Sequence, residues 1–234
     1  MNSYWHVKLF NAKDTPRVFG THSNQNFPEA LLAGLAKKLA GYPPEKWAQV
    51  SIYVNTRRMQ RRLSQLFLEG PARLLPTIHL ITDIANDRSL TDLPMPVPTL
   101  KRRLEITQLI RELLGRVDDL APRSAVFDLA NSLAALMDEM QGEGIEPKAL
   151  KNLDISDVSG HWERALQFIN IVQGYFEGGA IPDTETRQRA CVLALAEGWK
   201  ASPPNHPIIM AGSTGSRGTT FQLMLAIAGL PQGA

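Results

Sequence analysis

The segment Val50–Leu63, VSIYVNTRRMQRRL, places a short apolar run directly before a helical pattern. Val50–Val54 is short, apolar and partly β-branched, as buried strands are. Over Thr56–Leu68 the apolar residues recur at helical spacing, and Gly70 follows. The segment therefore predicts a strand that leads at once into a helix, which is the repeating unit of an α/β fold.

The same alternation recurs on both sides of this unit. Val18-Phe19, Ile78–Ile81 and Ile208–Ala211 are further short apolar runs that predict buried strands. A helix with leucines on one face is predicted from Pro28-Glu29 to just before Gly41. Strands that alternate with helices favour a parallel, doubly wound sheet.

A helical region interrupts this pattern. Prolines punctuate Leu93–Pro98 and Pro203–Pro207, and little strand pattern lies between them. Four helices are predicted there, marked by Leu104, Ile110, Leu113 and Leu114; by Val126, Leu129, Leu133, Leu136, Met137 and Met140; by Trp162, Leu166, Ile169, Val172 and Phe176; and by Val192, Leu195 and Trp199. The predicted domains are residues 1–94 for the first part of the α/β domain, 95–204 for a helical insertion and 205–234 for the return.

The predicted sheet has only three or four strands. Leu230–Ala234 also predicts a turn into another strand that does not follow. We therefore expect an incomplete α/β domain, and a chain that is a piece of a longer protein.

Composition favours a globular protein of the cytoplasm. Hydrophobic residues make up 44% and charged residues 21% of the 234 residues. No apolar run of about 18 residues predicts a membrane span, and the first residues do not resemble a secretory signal. Because Cys191 is the single cysteine, an internal disulfide is excluded. It lies in an apolar helical run and is expected to be a small buried side chain.

Positive charge is concentrated in the first half of the chain. Residues 1–117 carry a net charge of +8 and residues 118–234 carry −6. Four of the positive charges are Arg57, Arg58, Arg61 and Arg62, on one broad side of the helix that follows Val54. Together with the free N–H groups of that helix, these guanidiniums suit a phosphate backbone. The alternative is a solvated basic face, and Lys101–Arg103 is a second, weaker cluster.

A degenerate phosphate loop is predicted before the first helix. Gly20 suits the first position of a Walker A loop, but Gln25, Asn26 and Phe27 stand where Gly, Lys and Ser/Thr are required. No side chain there would neutralise a phosphate or hold Mg²⁺. The alternative is an ordinary strand–loop–helix connection.

A second loop, Ala211–Thr220, also follows a predicted strand and precedes a helix. Its Ser213, Thr214, Ser216 and Arg217 would contact a phosphate through hydroxyls, backbone amides and a guanidinium. A tight turn with a helix cap is the equally acceptable alternative. The loop contains no Gly-Lys pair, so it is not a Walker A loop.

No pattern predicts catalysis, a metal or a cofactor. The five histidines are scattered without an H-x-x-x-H pair, and no G-x-S-x-G elbow occurs. Trp162 and Trp199, at helical spacing, are expected in the core.

Four stretches resemble the N-terminal region of the AddB subunits of bacterial AddAB helicase–nucleases, which process double-strand DNA breaks. They are Val50–Leu63, Leu75–Ala85, Met137–Gly144 and Ala211–Gly218, in that order. The resemblance implies a RecA-like domain of the superfamily 1 helicase 1A type with a 1B-like helical insertion. It also implies that Asn55–Arg62 touches single-stranded DNA. Some AddB proteins keep a working Walker A loop, and this chain departs from it. The family's nuclease motif and iron–sulfur cysteines lie beyond the matched region.

The leading hypothesis is therefore a non-catalytic, helicase-like module. It would contact the backbone of single-stranded DNA or a duplex end and pack on an ATP-hydrolysing partner subunit, with the acidic insertion as a docking or channel surface. One rival is a nucleotide-binding ATPase with an atypical phosphate loop, in which Arg217 supplies the missing cation. Another is a purely structural scaffold.

Overall fold

A computed structural model describes residues 6–11, 16–117, 120–146, 149, 168, 171, 174 and 181–234. It divides into two compact units, Met1–Leu90 with Cys191–Ala234, and Thr91–Ala190. The elements are α1 (Phe27–Leu39), β1 (Ser51–Val54), α2 (Arg57–Leu68), β2 (Thr77–Leu80), α3 (Thr99–Arg116), α4 (Val126–Glu143), α5 (Thr184–Ala201), β3 (Ile208–Ala211) and α6 (Gly218–Gly229), with short 3-10 helices at Pro44–Gln49, Ile81–Asn86 and Arg123–Ala125. No helix within these ranges is long and apolar enough to cross a membrane.

The first unit is built on a parallel sheet with the strand order β2-β1-β3. In the register of the central strand, Tyr53 lies between His79 and Met210, and Val54 lies between Leu80 and Ala211. Parallel pairing requires crossover connections, and the intervening helices supply them. The mixed α/β class and the parallel sheet predicted from the sequence are therefore confirmed.

Helices cover both faces of this sheet. Side chains alternate between the faces of a strand, so Ile52 and Val54 point to one side and Tyr53 to the other. The first side packs against α1 and α2, where Leu35, Leu63 and other side chains are buried. The second side packs against α6 and the second half of α5. Ile52 and Val54 are buried and Tyr53 is half-buried, so helices on both faces explain the apolar run that follows Ser51 in β1.

The predicted strand at Arg17–Phe19 is wrong. The segment is not a strand, and Val18 and Phe19 are 84% and 65% exposed. The edge of β3 is occupied by the last residues, because Ile208 N–H donates to the Gln232 carbonyl and Met210 N–H donates to the Ala234 carbonyl. Leu230–Ala234 does turn back beside β3, where Ile208 and Gly233 form an isolated parallel bridge.

Arg17 anchors the N-terminal segment to the last residues of the chain. Its side chain is buried and donates to the carbonyls of Leu230 at 2.9 Å and Gly233 at 2.8 Å. Gln232 closes the same junction from the other side, since its Oε1 accepts from Leu9 N–H at 2.8 Å. The two chain segments are thus joined by side chains that satisfy backbone groups.

The second unit contains a helical core between α3 and α4. Ile106 and Ile110 on α3 meet Leu133 and Met137 on α4, all of them buried. This matches the apolar spacing for most positions, but Leu104 is 55% exposed. The inward position two residues earlier belongs instead to Arg102, which pairs with Asp138 and Asp183.

The third and fourth predicted helices of the insertion differ in what the structure shows of them. The helix marked by Trp162, Leu166, Ile169, Val172 and Phe176 lies outside the described residues. Val192, Leu195 and Trp199 lie on α5 as expected, but they pack in the α/β unit with Cys191, not in the insertion that we drew to residue 204. The division between the two units falls within α5.

Candidate nucleic-acid interface

The first part of the site is the junction of β1 and α2. Thr56 has extended backbone angles, and its hydroxyl accepts a hydrogen bond from Met59 N–H at 3.2 Å, so it is the N-cap of α2. Asn55 and Thr56 are exposed. Because α2 begins two residues beyond the strand, its first N–H groups point outward at the carboxyl edge of the sheet, where α/β folds bind ligands.

The arginines of α2 lie opposite its buried side. Leu63 and Phe67 are buried against the sheet, whereas Arg57, Arg58 and Arg61 are exposed and Arg62 is half-buried. The predicted basic face therefore exists. It forms because the helix needs only one apolar stripe to dock.

Two of the four arginines have carboxylate neighbours. Arg62 Nη2 donates to Glu29 Oε1 on α1 at 2.9 Å. Arg57 Nη2 lies 3.8 Å from Asp83 Oδ1, too far for a hydrogen bond. Within the described part of the chain, Arg58 and Arg61 make no ion pair.

The loop after β3 is the second part of the site. Gly212 and Gly215 have φ angles of 68° and 65°, which favour glycine, and the Ser213 hydroxyl accepts from Gly215 N–H at 3.3 Å. Thr214, Ser216 and Arg217 are exposed, and Arg217 is the N-cap residue of α6. The loop is thus a tight turn whose polar side chains are exposed to solvent.

These two parts lie at the same edge of the sheet. Val54 and Ala211 are register partners, so Asn55 and Gly212 leave the sheet side by side. The closeness of the two is visible at Gly212, where a Cβ atom would lie 3.3 Å from Met59 Cε. The structure therefore brings together the two predicted phosphate-binding segments that are more than 150 residues apart in sequence.

The predicted degenerate phosphate loop meets the same edge through Phe27. A Cβ atom at Gly212 would lie 3.1 Å from Phe27 Cε1, so the ring packs directly over the loop after β3. Asn26 is the N-cap residue of α1, but its side chain donates to Glu29 Oε1 at 2.8 Å instead of capping the helix. Gln25 N–H donates to the His22 carbonyl in a turn.

Gly20 does not behave as the glycine of a phosphate loop. It has no positive φ, and a Cβ atom there would meet open space. Since the segment before it is not a strand, a loop–helix remains where a strand–loop–helix was expected. Gly20 instead lines a cavity of about 270 Å³ walled by Phe10, Phe19, Phe27 and Leu31. Lys38 also lines this cavity, with its ammonium over the Phe10 and Phe19 rings, and the described residues that line it include no Asp or Glu that would hold Mg²⁺.

Sequence reasoning did not identify the two carboxylates, Glu29 and Asp83, that lie beside arginines of this site. Glu29 is an ordinary acid in the first turn of a predicted helix, and Asp83 lies in the stretch Leu75–Ala85 without any predicted role of its own. Both reach the arginines only through tertiary packing, so no local signal marks them. Lys101–Arg103 is corrected as well, because Arg102 is buried in an ion-pair network and cannot face nucleic acid.

No cluster of His, Cys, Asp or Glu that would hold a metal ion occurs among the described residues. The arrangement offers cations, hydroxyls and backbone N–H groups, which are groups that bind anions. A comparison with protein-family models and with curated proteins found no match to this chain.

Proposed function

We propose that this chain is a non-catalytic, helicase-like module of a DNA-repair helicase–nuclease subunit, and that it contacts the phosphate backbone of DNA. The observation that carries the proposal is the juxtaposition of the arginine face of α2 with the polar loop after β3 at one sheet edge. The RecA-like fold implied by the AddB resemblance is part of the proposal. It is supported by the parallel sheet and by the helical unit inserted between β2 and β3.

Backbone contact is favoured over reading of bases. The available groups are guanidiniums, hydroxyls and helix N-termini, which neutralise phosphates without distinguishing sequence. Exposed arginines cost little to desolvate and gain most of their binding free energy from counterion release. We therefore expect salt-dependent binding with little sequence preference.

Hydrolysis of ATP is disfavoured by the side chains at the start of α1. Phe27 stands where a Walker A loop has a Mg²⁺-binding hydroxyl, and its ring covers Gly212. Asn26 stands where the lysine is required and is bonded to a carboxylate. A nucleotide-binding ATPase would need Arg217 as its cation and would also need Phe27 to move.

The partner subunit is proposed on the resemblance and on the surface of the helical unit. Leu100, Leu104 and Phe127 are exposed there, at 70%, 55% and 66%. Exposed large apolar side chains of this kind favour a protein contact.

Fluorescence anisotropy of labelled single-stranded and duplex DNA, titrated at several salt concentrations, tests the proposal. We expect affinity to fall steeply as salt rises, with a slope that reports the number of phosphates neutralised. The quadruple variant Arg57→Ala/Arg58→Ala/Arg61→Ala/Arg62→Ala should bind more weakly and reduce the slope by at least about 1.4 for single-stranded DNA or about 1.8 for duplex, the value of two phosphate contacts.

A matched variant removes four positive charges elsewhere: Lys37→Ala/Arg103→Ala/Arg111→Ala/Arg116→Ala, all at exposed positions. It should affect binding less than the quadruple arginine variant does. Equal losses in the two variants, or no DNA binding at low salt, would show that the α2 face is not the contact surface. Binding of ATP by the isolated chain would favour the nucleotide-binding alternative.

A further inference from the structure

The arginine face of α2 is not uniform, because one carboxylate outside the helix lies against its C-terminal member. Glu29 Oε1 accepts from Arg62 Nη2 at 2.9 Å and from Asn26 Nδ2 at 2.8 Å. One oxygen thus joins the start of α1 to the arginine face. Neither bond is internal to α2.

The two bonds fix Glu29 in place. Glu29 lies in the first turn of α1, where a carboxylate is stabilised by the helix dipole, and Asn26 holds it from the position before the helix. A charge-assisted bond to a carboxylate held in this way competes with any phosphate that approaches Arg62. The carboxylate occupies one N–H of Arg62 and places a negative charge beside the guanidinium, so a phosphate at Arg62 must displace Glu29 or lie next to its charge.

Its neighbours face no such competition. Arg58 and Arg61, three residues apart on the helix surface, make no ion pair among the described residues. Arg57 is intermediate, since Asp83 lies at 3.8 Å and does not form a hydrogen bond with it. The four arginines therefore differ in their availability to an anion.

We propose that Glu29 determines how many phosphates the site engages: Arg58 and Arg61 bind the backbone, and Glu29 withholds Arg62 from it. This inference rests on the proposed function. It assigns Glu29, a residue outside α2, the role of a positioning residue for the Arg62 guanidinium. Loss of its charge adds a phosphate contact, because it releases Arg62.

The test is a double-mutant cycle on the DNA salt slope. Glu29→Gln should strengthen binding at low salt and steepen the slope by about 0.7 for single-stranded DNA or about 0.9 for duplex, the value of one phosphate contact. In the Arg62→Ala background the same Glu29→Gln change should not steepen the slope. Arg61→Ala should weaken binding more than Arg62→Ala.

Glu45→Gln is the matched control. It removes the same charge from an exposed position that precedes β1, at the opposite edge of the sheet. Its slope should stay at the wild-type value. A gain in Glu29→Gln that persists without Arg62, or that Glu45→Gln reproduces, would overturn the inference while DNA binding by the arginine face stands. Absence of DNA binding by the unaltered chain would overturn the proposed function, and this inference with it.

Discussion

Tyr53 on β1 and His79 on β2 stack face to face, with ring centroids 4.8 Å apart and ring planes 22° from parallel. They are register partners, and Trp199 packs edge-on against Tyr53 at 6.4 Å. Burial raises the pKa of the Tyr53 phenol, and the negative charge of Asp87 adds to this. Burial, together with the nearby His206, lowers the pKa of His79, and burial with His6 lowers that of His206. A neutral aromatic cluster thus lies on one face of the sheet.

The α/β unit should lose stability in mild acid. An unfolded histidine is half-protonated near pH 6.5, so His79 and His206 are essentially neutral in both the folded and the unfolded chain only from about pH 7.5 upward, where their contribution is complete. As the pH falls below that value, the unfolded chain takes up protons that the folded chain resists, and the free energy of unfolding decreases. Urea unfolding at pH 7.5 and 5.5 measures the loss. His79→Phe should reduce it, whereas His22→Phe, in an exposed loop, should retain it. An equal loss in His79→Phe and in the unaltered chain would contradict the prediction.

Gly212 should tolerate no side chain. Gly212→Ala forces a residue with a Cβ into a φ of 68° and places that Cβ 3.1 Å from the Phe27 ring. We expect a loss of about 1–2 kcal/mol in the free energy of unfolding. Gly20→Ala is the control, because its Cβ meets open space, and a change within about 0.5 kcal/mol is expected. Equal effects at the two glycines would mean that Phe27 does not cover the loop after β3.

Arg102 should be essential to the helical unit. Its guanidinium is buried and bonded to Asp138, and its Nη2 lies 3.0 Å from Asp183 Oδ2, close enough for an ion pair although not aligned as a hydrogen bond. Arg102→Ala leaves the buried Asp183 carboxylate without this cation, at a cost of about 3–5 kcal/mol. Denaturant unfolding of Arg102→Ala and of Arg103→Ala, its exposed neighbour, provides the comparison. The prediction fails if the two variants are equally stable.

Arg17 should be essential to the α/β unit through its geometry as well as its charge. It donates to the carbonyls of Leu230, Gly233 and Pro231. Arg17→Ala should cost about 3 kcal/mol, because several charge-assisted hydrogen bonds to buried carbonyls are lost. Arg17→Lys should recover only part of this, since an ammonium lacks the planar fork. Chemical denaturation measures both, with the exposed Arg88→Ala as the reference. Full recovery by lysine would show that charge alone matters.

Local pattern predicted the central elements well. The run from β1 into α2, the Thr56 boundary and the arginine face follow from residue spacing within about 20 residues, and each appears in the structure. The polar loop after β3 was predicted in the same way. Its position beside α2 results from the parallel pairing of β1 with β3, and local pattern did not predict it.

The errors arise where distant segments compete. Arg17–Phe19 has the composition of a strand, but the Arg17 side chain is bonded to the carbonyls of Leu230 and Gly233, more than 200 residues away. Leu104 has helical spacing, but Arg102 takes the inward position because it pairs there with Asp138 and Asp183. The bond between Glu29 and Arg62 joins residues 33 apart, and no local pattern marks such a pair.

The insertion between β2 and β3 has a consequence for synthesis on the ribosome. β1 emerges early with β2 as its only neighbour, and its second neighbour, β3, follows after the whole of Thr91–Ala190. Contacts so far apart in sequence form slowly because a long loop must close first. One edge of β1 therefore lacks its partner strand in the nascent chain while the helical unit is being synthesised. Protection of that edge by a chaperone or by pausing of translation would decide how much of the protein escapes aggregation.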